Sequence, residues 1–155
     1  MECVISNVPA GLGDPVFDKL SGNLAKAICS IGAVKAFEIG DGINVTTSKG
    51  SLKNDEFLRG GIVKTNHAGG ILGGISSGAP IVLRAHIKPT PSISSPQKTI
   101  NTHGEEIELT ISGRHDPIIV PRAVVVVESM AAITIADALL TNMSAKLDNI
   151  KKFYD

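Results

Sequence analysis

Two short polar segments of this chain carry residue types suited to gripping a phosphate beside a proton-handling carboxylate. Lys88-Pro89-Thr90-Pro91-Ser92 sets a cation and two hydroxyls among prolines, and Gly113-Arg114-His115-Asp116-Pro117 follows further along. The prolines restrict the backbone, so Lys88, Thr90 and Ser92 lose less entropy when they engage a ligand. Charge-assisted hydrogen bonds from such groups contribute roughly 1.5–3 kcal/mol each. Arg114 is by type an anion clamp, and Asp116 is a carboxylate for a partly dry site. The plainer readings are a proline-rich surface turn and a turn carrying a solvated ion pair. His115 is the weakest of the three for a role, because adjacent residues point different ways.

A third segment, Asn66-His67-Ala68-Gly69-Gly70-Ile71-Leu72-Gly73-Gly74-Ile75-Ser76-Ser77-Gly78, is rich in glycine. Glycines let backbone approach a ligand and expose N–H groups to anions, or they mark places where elements pack tightly. The spacing fits neither a Walker loop nor a dinucleotide-binding turn. His67, His86, His103 and His115 share no metal-ligand spacing, so no metal site is expected. A serine nucleophile lacks its Gly-x-Ser-x-Gly setting.

These segments must be positioned by a largely apolar scaffold. The chain has 155 residues, 43% hydrophobic and 19% charged, a composition that folds around one core. Aromatics are only 3%, so Val, Ile, Leu and Ala must fill that core. A formal net charge of zero argues against nucleic-acid binding. Cys3 and Cys29 are expected to be buried, reduced thiols of a cytoplasmic protein. Glu2 and Asn7 interrupt any signal peptide. The apolar stretch from Ala123 to Ala136 contains Glu128 and is shorter than the ~20 residues of a membrane span, so no membrane partner is expected.

Residues 2–8 read as a strand closed by the turn at 9–13. Asp14 is placed as a helix N-cap with Pro15 at the first helical position; Val16, Phe17, Leu20, Leu24, Ala27, Ile28 and Ile31 continue at helical spacing. Strands are expected at 33–39, 57–64, 71–76, 80–87, 98–102 and 106–111, with a mobile polar loop at 46–56. A helix from Pro121 to about Lys146, apolar on nearly every side in its first half, should be buried between layers. The last dozen residues should fray.

Taken in order, Val8–Gly13, Ala33–Gly42, Asn66–Gly78, Lys88–Ser92 and Gly113–Pro117 resemble chorismate synthase, over most of this chain but only the C-terminal part of the family's length. The resemblance implies an α+β fold with helices sandwiched between antiparallel β-sheets, assembled as a homotetramer. Residues 1–142 would be the FMN-binding portion and 143–155 a polar tail. It implies elimination of phosphate from 5-enolpyruvylshikimate-3-phosphate with reduced FMN, a phosphate-eliminating carbon–oxygen lyase reaction of aromatic amino-acid biosynthesis. FMN contacts are implied at Gly32, Ala33, Gly73, Lys88, Pro89, Thr90, Pro91, Ser92 and Arg114. At Gly32 only the backbone can contribute. Asp116 matches the family's carboxylate near the flavin N5, with Arg114 as the accompanying clamp. The family's two general-acid histidines and most of its substrate-binding arginines lie in the N-terminal part. None of the four histidines here sits in those motifs, so the isolated chain is expected to be inactive without a separate N-terminal partner. A flavin- or phosphate-binding module without turnover and an oligomerisation half are the other readings.

Overall fold

Ile81, Leu83 and Ala85 are fully buried while Val82, Arg84 and His86 are not, the period-two pattern of a strand with one face on a core. The computed structural model describes residues 1–154, with elements in the order β1 (Glu2–Ile5), α1 (Leu20–Cys29), β2 (Val34–Ile39), β3 (Ile71–Leu72), β4 (Ile75–Ser76), β5 (Ile81–Ile87), β6 (Gln97–Ile100), β7 (Glu106–Leu109), α2 (Val120–Met143) and α3 (Leu147–Tyr154). The central sheet has the order β1-β5-β2 and is antiparallel throughout, with Cys3 opposite Leu83 and Phe37 opposite Ala85. The β3–β4 and β6–β7 pairs are separate antiparallel hairpins. This is the α+β class expected from the sequence.

Helix α1 buries Leu20, Leu24 and Ile28, a four-residue repeat that keeps one stripe facing the sheet. It starts later than Asp14 and Pro15 indicate. The Asp14 N–H donates to the Asp18 carbonyl at 2.9 Å, which closes a turn and leaves Phe17 94% exposed. The Leu20 N–H then donates to the Gly74 carbonyl at 2.8 Å. A backbone acceptor from the β3–β4 turn therefore satisfies a helix-start donor that a capping side chain would otherwise take.

Helix α2 adds Val127, Ala131 and Ile135 to the same core. Only one face of α2 is covered; Val124, Val125, Val126, Ile133 and Leu140 are exposed. Burial between two layers is thus not what this chain provides for α2. The helix, expected from Pro121 to about Lys146, runs Val120–Met143, and its 24 residues are long and apolar enough to cross a bilayer by length and composition, which the stretch 123–136 alone is not.

Other expectations shift locally. The expected strand at 71–76 is a hairpin, turned at Gly73 and Gly74 with φ of 61° and 91°. At 57–64 only a bridge between Phe57 and Val63 forms. Residues 143–154 do not simply fray, because α3 forms within them. Both cysteines are free, but Cys29 is exposed rather than buried and Cys3 is half-buried. Burial, with Glu128 nearby, pushes the Cys3 thiol up.

Candidate functional site

The C-terminal end of β5 delivers the proline-flanked segment. The Lys88 N–H donates to the Ala33 carbonyl at 2.7 Å, which ties the segment to the tight turn between α1 and β2. Ala33 holds φ at 70°, a left-handed conformation uncommon for a residue with a side chain. Gly32, Ala33 and Lys88 are thereby neighbours, with Gly32 and the Lys88 side chain exposed.

Beyond Lys88 the chain forms one wall of a hollow of about 520 Å³. Thr90, Ser92 and Ser94 line it from one side, and Ser112, His115 and Asp116 from the other. The structure thus brings together the hydroxyls and the carboxylate that the sequence singled out. Thr90 Oγ1 is buried there with no hydrogen-bond partner. An unmet buried hydroxyl costs about 1–3 kcal/mol, and a bound polar group would satisfy it. Pro89 and Pro91 are exposed on the outer side, where the Pro91 carbonyl accepts from Gln97 Nε2 at 3.3 Å.

Asp116 does not pair with Arg114. Its Oδ2 lies 2.8 Å from Nη1 of Arg122, in the first turn of α2. Arg114 is exposed and does not line the hollow, although Gly113 and His115 on either side of it do. No sequence signal singles out Arg122, because its reach depends on where α2 begins.

Gly73 lies apart from this group. Gly70 packs against the Pro80 carbonyl at the start of β5, whereas Lys88 follows its end. Seven strand residues span about 20 Å, so the hairpin carrying Gly73 sits toward the other end of the sheet.

The glycine-rich segment is fixed by a carboxylate cluster that the sequence did not disclose. Asp41 Oδ2 accepts from Lys53 Nζ at 2.6 Å and contacts His67 Nδ1 at 2.7 Å. Asp55 accepts from Thr65 Oγ1 at 2.7 Å, His67 N–H at 2.8 Å and Ala68 N–H at 2.9 Å. The Lys53 ammonium, then the His67 contact, holds the Asp41 carboxyl below its ordinary range. Burial pushes Asp55 up, but the Ala68, Thr65 and His67 hydrogen bonds outweigh it and leave it low. The Ile43 N–H, seconded by His86, lowers Glu38 in the same way. Loop 46–56, expected to be mobile, is instead held through Lys53 and Asp55.

Glycine has a packing role here. A Cβ on Gly69 would collide with the backbone of Gly40, and one on Gly70 with the carbonyls of Ala79 and Pro80. Ser76 Oγ, buried, donates to the Pro9 carbonyl at 2.6 Å and accepts the Leu12 N–H at 2.8 Å. Among the described residues no group of three or more His, Cys, Asp or Glu could hold a metal ion.

Both the sequence and the fold of this chain have counterparts among known proteins. The family model for chorismate synthase matches residues 1–140. A chorismate synthase of Agathobacter rectalis is 63% identical over 99% of this chain and 42% of its own length. One from Methanococcus vannielii is 52% identical over 97% of this chain and 42% of its own. A solved chorismate synthase crystal structure superposes with a TM-score of 0.74 at 32% identity, covering 99% of this chain and 40% of that one. The chain belongs to the chorismate synthase family. It spans about 42% of the length of the curated relatives it matches.

Proposed function

We propose that this chain supplies the flavin-holding portion of a chorismate synthase, acting in the cytoplasm within a tetrameric assembly. The reaction is the anti-1,4-elimination of phosphate from 5-enolpyruvylshikimate-3-phosphate to give chorismate. A proton and a phosphate leave opposite faces of the ring, with no net redox change. Reduced FMN, when bound, supplies the electron density that loosens the departing C–O bond. The chain's own residues do the holding. Lys88, Thr90 and Ser92 receive the phosphate-bearing end of the cofactor; the Ala33 carbonyl fixes the Lys88 backbone that carries them. Asp116 orients or relays the proton, and Arg114, exposed between the hollow-lining Gly113 and His115, clamps an anion at the rim.

The observation that carries this reading is the unpartnered Thr90 hydroxyl, buried in a hollow that Asp116 also lines. The hollow's volume falls within the ~300–1,000 Å³ usual for cofactor sites. FMN titration of this chain, followed by flavin fluorescence, should give saturable binding that Thr90→Val and Ser92→Ala each weaken. With reduced FMN, substrate and the remaining portion of a relative's chain, chorismate should appear by absorbance. Asp116→Asn should lower kcat about 100-fold or more in that mixture with FMN affinity nearly kept; unchanged turnover would retire the relay. Saturable flavin binding without turnover in the mixture would instead favour a binding module.

A further inference from the structure

Arg122 stands in the first turn of α2, a position that its own helix disfavours. The N-terminal end of a helix carries a partial positive charge, so carboxylates are stabilised there and cations are not. That turn holds no acidic residue, yet it holds Arg122. Packing does not account for it either, since its side chain is 80% exposed. Its one charged neighbour is Asp116, whose Oδ2 lies 2.8 Å from Nη1. An exposed pair of this kind adds little to stability. A residue that breaks a local rule with no gain to the fold points to a functional site.

Asp116 is where the pairing has an effect. It is the one carboxylate lining the hollow, and among the described residues no lysine or arginine lines it. A hollow of about 520 Å³ is about 8 Å across, no wider than the screening length in physiological salt. An anion seated beside Thr90 therefore feels the charge of Asp116, and a phosphate monoester carries about −1.5 to −2 near neutrality. Like charges at that range repel and weaken binding. We propose that Arg122 is a positioning residue of this site, pairing with Asp116 so that its carboxylate does not repel an anionic cofactor. Arg122 does not line the hollow, so it acts only through Asp116. The pair takes Oδ2 and leaves Oδ1 free for the ligand. This inference rests on the flavin reading of the hollow, and its experiment separates the two.

The test is a double-mutant cycle on the full chain, read by FMN titration at low salt with flavin fluorescence. Arg122→Ala leaves the carboxylate unpaired and should weaken FMN binding about three- to fivefold, the scale of an exposed charge interaction. Arg122→Lys keeps the charge and should bind within about twofold of wild type. Arg122→Ala combined with Asp116→Asn removes both charges and should also return to within about twofold. The deficit of Arg122→Ala alone should vanish in about 1 M salt, where screening cuts interactions beyond about 3 Å. Circular dichroism should be the same for every variant, since both side chains are exposed. The proposal is overturned if Arg122→Ala binds FMN as wild type does. It is equally overturned by a deficit that is as large in the Asp116→Asn background, or that persists in high salt. In those cases saturable binding by the wild type leaves the flavin reading standing, and only Arg122 loses its role. Absence of saturable binding by the wild type would retire both.

Discussion

Thr90 has a property that separates a ligand site from a plain turn. Its buried hydroxyl has no partner, so replacing it with the isosteric valine removes an unmet polar group. Thr90→Val should leave unfolding free energy unchanged or raise it by about 1 kcal/mol, while FMN affinity falls. Chemical denaturation and flavin titration of the same sample check both signs, and a parallel fall in both would mean that the hydroxyl serves only the fold. The chemistry of this hollow was legible because its donors sit in two short segments. Arg122 was not legible, since its approach to Asp116 is set by the start of a helix. The Asp41–His67 contact was hidden for a similar reason: the partners lie 26 residues apart and meet only after Gly40 and Gly69 bring their backbones together. Arg122→Ala should cost little stability, because an exposed ion pair contributes on the order of 0–1 kcal/mol; a large loss in thermal unfolding would contradict the pairing as drawn.

At the scale of elements, the carboxylate cluster that fixes the glycine-rich segment predicts a pH dependence. Glu38, Asp41 and Asp55 are all held low in the folded chain. Their stabilisation is therefore full above the unfolded carboxylate range of about 4 and is lost as pH falls through the lower folded values. Thermal unfolding should be flat near neutrality and decline in acid. Asp55→Asn should lower the melting temperature at neutral pH and flatten the acid decline; an equally steep decline would remove Asp55 from the account. Gly69→Ala should destabilise by about 2 kcal/mol or more, measured by denaturant unfolding, because φ is 64° and the added carbon meets Gly40 backbone. Strand periodicity was readable for β1, β2 and β5 because each has one face on the core. The start of α1 was not, since its partner is a backbone carbonyl with no sequence signature. The apolar run of α2 announced a helix and its buried stripe, but composition says nothing of what covers the other side.

For the molecule as a whole, the strand order has a kinetic consequence. The middle strand of the sheet is the last of the three to be synthesised: Arg84 of β5 reaches back to Glu2 of β1 across 82 positions and to Glu38 of β2 on its other side. Closing so long a loop is entropically costly before any pairing rewards it. The β1-β5-β2 sheet therefore cannot assemble until β5 has been synthesised, and until then Leu20, Leu24 and Ile28 of α1 lack Ile81, Leu83 and Ala85 to pack against. Arrested chains ending before Ile81 should remain protease-sensitive across residues 2–39, and protection of those residues without β5 would contradict this order of assembly.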